Sequence, residues 1–367
     1  MRIGVLGGGQ LGRMLALAGY PLGHEFTFLE PAPEATRGLG TLIAAPFADA
    51  AALDALAAAS DVVTYEFENV PVAAARRLAD RVPVWPPPGA LEVAQDRLLE
   101  KRFFADCGLP TAPFAVADGR EALARAVETI GLPAVVKTRR HGYDGKGQAV
   151  LRVPADLDAA WAALAPAPCI VEGWVDFARE LSILAVRGRD GACACWSLVE
   201  NLHGDGILRR SLAPAPGATP ALQAAAEAHA RTVLERLGYV GVAAIELFEV
   251  DGSLVANEMA PRVHNSGHWT IEGAETSQFE NHLRAVTGAP LGSTAPVGVS
   301  AMVNLIGDLP PDAAVLAIPG AHLHRYGKAP RPGRKVGHVT VRAADPGALG
   351  ERLGVLQALL AAEPLRP

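Results

Sequence analysis

Two glutamates stand in strand-like runs where a buried strand would not carry an acid. The stretch GVAAIELFEVDGSLVANEMAPRVHNSGHW, residues 241–269, holds apolar runs at 242–250 and 254–259 joined by Asp251-Gly252, a strong hairpin signal. Each run carries a carboxylate that a buried strand should not want, Glu246 and Glu258, and neither contains a Lys or Arg to pair with it. A lone ionised carboxylate is costly to bury, so it is normally paired or bound to a metal. A hard cation is the natural partner here. Register decides whether the two acids meet. A two-residue loop sets Glu246 opposite Asn257 and turns Glu258 to the other face; a three-residue loop, Asp251-Gly252-Ser253 with a bulge, pairs Glu246 with Glu258. The three-residue loop is the expectation, and an edge hairpin with solvated acids is the alternative.

A second concentration of chemistry lies in AVVKTRRHGYDGKGQAVLRV, residues 134–153. Lys137 ends a strand, Gly142, Gly145 and Gly147 punctuate a loop, and a strand resumes at Gln148. A Walker loop would continue Lys-Ser/Thr into a helix, whereas Lys146 precedes Gly147 and a strand. The pattern predicts a glycine flap that lays backbone N–H groups and Lys146 over phosphates, with Lys137 as a fixed charge below. Downstream, Glu172 ends a strand at Gly173-Trp174-Val175, whose free backbone edge suits an adenine edge and a ribose. Glu180 opens the next strand, and His203, Asp205, Arg209 and Arg210 follow it.

Other candidates stay open on the residues alone. Gly7, Gly9 and Gly12 follow a strand at 2–6 and open a helix, with a second strand ending at Glu30. That pattern fits a dinucleotide, a phosphate or merely a tight strand-to-helix turn. Glu66 and Glu68, near the end of a strand that begins at 61–63, face a ligand or solvent. Arg97 and Lys101 share a helix face that reads as solvated. Arg325, Lys328, Arg331, Arg334 and Lys335 make either a solvated basic loop or, if they converge on the N-terminal glycine loop, a phosphate pocket.

These residues need a large scaffold. At 367 residues, 50% hydrophobic and 20% charged, the chain should hold roughly two or three domains. A net charge of −6 argues against a nucleic-acid binder. Cys107, Cys169, Cys193 and Cys195 lack metal or redox spacing and read as structural thiols. No apolar run reaches a membrane span and no leader pattern opens the chain, so a cytoplasmic location is expected. Pro86-Pro87-Pro88-Gly89 marks a boundary near residue 90 after a last short strand at 82–85. Single helices are expected over 91–107, closed by Gly108, over 220–237, and over 270–287, closed by Gly288.

The order of parts resembles the ATP-grasp superfamily over essentially the whole chain. Within it, GGGQLGRM, YEFENVP, RRHGYDGKGQ, NLHGDGILR and NEMAPRVHNSGHWT resemble the N5-carboxyaminoimidazole ribonucleotide synthetases, the biotin-free carboxylases of purine synthesis. The resemblance implies an α/β and α+β ATP-grasp fold: a Rossmann-like domain at 1–90, a two-lobed ATP-grasp domain at 91–289 (lid lobe about 112–172, metal-binding lobe about 173–289) and a small β-rich domain at 290–367. It implies that ATP meets Arg97, Lys137, the flap from Gly142 through Tyr143, Asp144, Gly145, Lys146 and Gly147 to Gln148, the linker Glu172, Gly173, Trp174 and Val175, then Glu180, His203, Asn257 and Glu258. Mg2+ or Mn2+ would bridge the phosphates to Glu246 and Glu258. Bicarbonate would lie at Arg262, His264 and Asn265. The aminoimidazole ring would meet Tyr143, Asp144, Glu66 and Glu68, and its ribose phosphate Gln10, Leu11, Lys328, Arg334 and Lys335. Lys137 would offset charge on the transferring phosphoryl group, Lys146 would act from the flap, and Asp144 would accept or orient the amine proton.

The implied reaction is carboxylation of 5-aminoimidazole ribonucleotide by ATP and bicarbonate through carboxyphosphate, without biotin, nucleic acid or membrane and in a homodimer. The competing expectations are another ATP-grasp ligase or transformylase of purine synthesis, an NAD-dependent oxidoreductase built on the first glycine loop and Glu30, and a non-catalytic nucleotide binder.

Overall fold

The computed structural model describes residues 1–142, 145–164 and 167–362. The first sheet is parallel, in the order Thr41–Ile43, Glu25–Leu29, Arg2–Leu6, Val62–Tyr65. Ile3, Val5, Leu6, Phe28 and Val62 are fully buried, as parallel strands covered on both faces require. The expected strand at 82–85 contributes only an isolated bridge, Val63 to Val84. Pro83 and Pro86 bracket it and remove the donors a ladder needs.

The expected helix over 91–107 is two helices, Pro88–Ala94 and Arg97–Asp106. Asp96 breaks them apart. Its backbone is extended, and its carboxylate accepts the Leu98 N–H at 3.0 Å and pairs with Arg139 at 2.8 Å, so an N-cap wins over continuation. The helix over 270–287 likewise divides into Thr270–Gly273 and Gln278–Thr287, with Ser277 capping the second by accepting from Glu280 N–H at 3.1 Å.

An antiparallel sheet ordered Phe114–Ala117, Cys169–Gly173, Ala134–Thr138, Gln148–Leu151 carries the flap. Helices Arg120–Ile130 and Asp156–Leu164 cover it, through Leu123, Val127 and Leu157. Among the described residues, the large sheet has nine strands. It runs from the edge strand Ser253–Ala260 through Gly241–Val250, Arg179–Arg187, Val199–Gly204 and Ile207–Ala213 to Val299–Ile306, Lys335–Ala343 and Ala321–Arg325, with Cys193–Cys195 beside Arg179–Arg187. The segment after 290 is therefore continuous with the central sheet, since Val299–Ile306 pairs with Ile207–Ala213. It also adds the helices Asp312–Leu316 and Pro346–Ala362. Helix Pro220–Arg236 packs Leu222, Ala226, Ala230, Val233 and Leu234 under this sheet; each buried Leu or Val contributes about 1.5–3 kcal/mol.

The edge strand Ser253–Ala260 is sealed by polar groups. Its Ala256 N–H donates to the Pro110 carbonyl at 2.7 Å, Lys101 Nζ donates to the Ala256 carbonyl at 3.3 Å, and the Met259 N–H donates to Glu100 Oε1 at 2.6 Å. An open edge would otherwise invite foreign pairing. Glu100 and Lys101 are consequently 2% and 1% exposed, which overturns the solvated helix face expected for Arg97 and Lys101. The cysteines form no disulfide. No helix among the described residues is long and apolar enough to cross a membrane.

Candidate active site

Val250 pairs with Ser253, so the hairpin loop has two residues, not three. Asp251 and Gly252 both take positive φ, 49° and 75°, as the favoured two-residue hairpin turn requires. The two glutamates nevertheless face each other. Leu247 pairs with Ala256 but Glu246 with Glu258, so Asn257 is the extra residue of a β-bulge. Two residues there oppose one, and the shift restores the acids to one face. The irregularity sits inside the strand, not at the turn.

Glu258 Oε2 lies 2.8 Å from Arg97 Nη1. Burial works to raise Glu258, but Arg97, together with Lys137 and Lys101, holds this carboxyl below its usual range. Glu246 is instead pushed up to about 8, by burial and then by the charge of Glu258. Asn257 Oδ1 is buried without a hydrogen-bond partner among the described residues. Two carboxylates that repel each other, with an unpartnered carbonyl oxygen on the bulged residue next in sequence to one of them, are the donor types a hard divalent cation takes. No cluster of three or more His, Cys, Asp or Glu suited to a metal occurs among the described residues. Mg2+ bound by only one or two carboxylates normally completes its shell with phosphate oxygens and water.

Cations face these acids. Lys137 and Lys101 stand 3.1 and 3.3 Å from the same Glu172 oxygen. Burial, with Arg97 and Lys101 nearby, lowers Lys137 despite Glu172. Burial works to raise Glu172, yet Lys137 and Lys101 hold it low. The other Glu172 oxygen is buried and unpartnered among the described residues. The Gly173 and Trp174 N–H groups donate to the Pro113 and Pro133 carbonyls, so the linker's expected free edge is already used at these two positions. The exposed Trp174 ring carries the Arg152 guanidinium 5.8 Å from its centre, and Val175 is half-buried.

Above them runs the flap. Gly142 lines the cleft, Lys146 and Gln148 are exposed, and Gly145 and Gly147 have φ of 75° and 72°. A Cβ on Gly145 would come within 3.0 Å of Gly206 Cα, so the flap reaches across to the Asp205-Gly206 turn. Tyr143 and Asp144 lie outside the described residues. Glu180 Oε2 hydrogen-bonds His203 Nδ1. Burial works to lower His203, but Glu180 and the hairpin acids raise it.

The loop after the hairpin brings a guanidinium and an imidazole to the acid pair. Arg262 Nη2 pairs with Glu68 Oε2 at 2.7 Å, while its Nε is buried with no partner among the described residues. His264 Nε2 stands 3.4 Å from Glu246 Oε1. Burial and the Arg262 charge push His264 well below its usual value, leaving a neutral imidazole. Asn265 exchanges amide hydrogen bonds with Asn304, at 3.1 and 2.7 Å, so its side chain braces the loop.

The N-terminal glycine loop is filled from inside. Glu66 accepts from the Gly9 N–H at 2.9 Å and the Gly12 N–H at 3.2 Å, and Glu30 from the Gly8 N–H at 3.0 Å. Burial raises Glu66. Glu66 thus satisfies N–H groups at the start of the helix Gln10–Gly19, and Leu11 is a core residue, 6% exposed. The same contacts remove the dinucleotide reading, because its pyrophosphate donors and its ribose acid bond each other. The basic residues do converge here: Lys328 donates to Gln10 Oε1, Arg334 pairs with Glu34, and Lys335 starts the strand beside them. Arg325 and Arg331 remain exposed.

Sequence reasoning missed Glu100, pushed up to about 8 by burial and Glu258, and missed the bracing by Lys101 and Asn304. The run Arg97, Glu100, Lys101 at helical spacing was the available signal; Asn304 lies in an apolar strand and offered none.

Three family models match the chain: a ribonucleotide synthetase preATP-grasp domain at 1–95, an ATP-grasp domain at 102–279 and a phosphoribosylaminoimidazole carboxylase C-terminal domain at 300–352. The N5-carboxyaminoimidazole ribonucleotide synthase of Pseudomonas aeruginosa is 56% identical over 363 residues, covering 99% of this chain and 100% of that protein. The crystal structure of N5-carboxyaminoimidazole ribonucleotide synthetase from Thermus thermophilus superposes with a TM-score of 0.95 at 60% identity, covering 99% of this chain and 100% of the other. That of the Aspergillus clavatus N5-carboxyaminoimidazole synthase, in complex with ADP and 5-aminoimidazole ribonucleotide, gives 0.88 at 31% identity, covering 98% of this chain and 97% of the other.

Proposed function

The chain belongs to the N5-carboxyaminoimidazole ribonucleotide synthase family of ATP-grasp ligases in purine biosynthesis, and we propose that its cleft activates bicarbonate with ATP and transfers the carboxyl group to the amine of 5-aminoimidazole ribonucleotide. The observation that carries this reading is the adjacency of three groups: the acid pair Glu246/Glu258, the cations Arg97 and Lys137, and the loop of Arg262 and His264. A Mg2+ or Mn2+ ion at Glu246, Glu258 and Asn257 Oδ1 would neutralise phosphate charge when bound.

The chain's own residues do the rest. Glu172, with its unpartnered oxygen, would accept from the adenine amine, and Glu180 with His203 would meet the ribose. Lys137 and Arg97 offset negative charge building on the transferred phosphoryl group. Arg262, through its unpartnered Nε–H, orients bicarbonate for attack on that phosphorus, and neutral His264 beside Glu246, whose Nδ1 already accepts the Ser266 N–H at 3.3 Å, donates to it through Nε2–H. A bicarbonate oxygen bonds to phosphorus as the bond to ADP breaks. The exocyclic amine then takes the carboxyl carbon, either from the mixed anhydride or from CO2 released by it; phosphate leaves and takes up the proton the amine gives up. Lys328, Lys335 and Gln10 would hold the ribose phosphate, with Arg334 braced by Glu34. The flap over the cleft keeps water from a hydrolysable intermediate. Homodimeric assembly and a cytoplasmic location are proposed as part of the same reading.

ADP release measured with and without bicarbonate and 5-aminoimidazole ribonucleotide tests it. ADP formation that requires both supports the proposal, and formation independent of both would exclude it.

A further inference from the structure

Gln278 opens the helix Gln278–Thr287, is fully buried, and takes no part in the steps above. Its side-chain oxygen accepts the His264 N–H at 2.8 Å, and its Nε2 donates to the His264 carbonyl at 2.6 Å. The same Nε2 lies 3.3 Å from His268 Nδ1, which makes that nitrogen the acceptor and fixes the imidazole tautomer. Gln278 is itself held, its N–H donating to Thr270 Oγ1 at 2.9 Å. One amide therefore pairs with both backbone polar groups of a single residue, as a neighbouring strand would. The close approach depends on Gly267, where a Cβ would fall 2.7 Å from the Gln278 carboxamide and 2.2 Å from Leu184.

We infer that Gln278 is a positioning residue for the anion step: by clamping the His264 backbone, it fixes the His264 ring against Glu246 and the Arg262 guanidinium behind it at the spacing a small planar oxyanion needs. This rests on the proposed bicarbonate site. The segment between Ala260 and Asn265 has no regular secondary structure, so its shape must come from such contacts. Ordering it only when the anion arrives would cost affinity, and a misplacement of about 1 Å can cost about 10²-fold in rate. The clamp needs a donor and an acceptor side by side. A carboxamide supplies both at every pH, and a carboxylic acid supplies both only while protonated. The titratable and charged groups around this corner are Glu246, His203, His264, His268, His324, His338, Arg262 and Lys335.

The experiment compares wild type with Gln278→Met, Gln278→Glu and Arg262→Ala, using ADP release to obtain KM for bicarbonate, ATP and 5-aminoimidazole ribonucleotide between about pH 6 and 9. Gln278→Met should raise the bicarbonate KM roughly tenfold or more, with the other two KM values within about twofold. Gln278→Glu should be most active at the acid end and lose activity as the carboxyl ionises against the His264 carbonyl, while wild type keeps its own profile. An unchanged bicarbonate KM in Gln278→Met together with a wild-type pH profile in Gln278→Glu would overturn the clamp. If Gln278→Met does not fold, the profile of Gln278→Glu decides alone. Should Arg262→Ala raise the bicarbonate KM while the Gln278 variants do not, only the clamp fails; should Arg262→Ala also leave it unchanged, the bicarbonate site fails and takes the clamp with it.

Discussion

Glu258 faces Glu246 across the hairpin because Asn257 is bulged out of register beside it. The pair is poised for a cation: one carboxyl is tied to Arg97 at 2.8 Å, and the other is pushed up to about 8 by burial and by its neighbour's charge. Replacing either acid with glutamine should raise the Mg2+ concentration needed for half-maximal activity and lower kcat/KM for ATP by about 10²–10³-fold. The measurement is a Mg2+ titration of ADP release. Parallel titrations in wild type and both variants would remove the metal role.

Glu66 should matter for stability through the glycine loop. It satisfies the Gly9 and Gly12 N–H groups from a buried position. Glu66→Ala leaves those donors unpaired and should cost about 1–3 kcal/mol in urea unfolding. A midpoint equal to wild type would show that the loop is satisfied in another way.

Lys101 is 1% exposed and shares a Glu172 oxygen with Lys137 while closing the edge strand at Ala256. Lys101→Met should destabilise by about 3 kcal/mol, the low end for breaking a buried ion pair. It should also raise the KM for ATP, because Glu172 would then draw Lys137 more strongly. The double variant Lys101→Met/Glu172→Gln should recover part of the stability. A purely additive double variant would contradict the coupling.

His282 links the first sheet to the central one. Its Nδ1 accepts the Val242 N–H at 3.1 Å and its Nε2 bonds Thr64 Oγ1 at 2.8 Å. Burial lowers it to about 3. The unfolded chain, with an ordinary histidine near 6.5, binds the proton first. The stability contribution is therefore complete above about pH 6.5 and falls as pH drops toward 3, by up to about 1.4 kcal/mol per pH unit. Urea unfolding of wild type and His282→Gln at several pH values checks this. The variant should show a shallower loss by one proton, and equal slopes would contradict it.

The three-part order of the chain, the flap strands and the acid hairpin were legible because each rests on local pattern: alternating apolar runs, Asp-Gly, and glycines around lysines. The family resemblance carried further, to Arg262 and Lys328. Contacts made between distant segments were not legible. The bulge at Asn257 depends on what the edge strand packs against, and the two-residue turn hid it. Arg97 and Lys101 look solvated until the hairpin edge lies against their helix. Glu66 looks like a ligand-facing acid until the glycine loop, 54 to 57 residues earlier, is seen to bond it. Gln278 and Asn304 are ordinary polar residues in sequence and become supports only through the loop they hold.

The central claim is that bicarbonate is phosphorylated between the acid pair and the Arg262 loop. Single-turnover reaction with 18O-labelled bicarbonate, followed by mass analysis of the released phosphate, tests it most directly. Transfer of one 18O atom into each phosphate formed is the result predicted; unlabelled phosphate accompanying full formation of the carboxylated product would contradict the account.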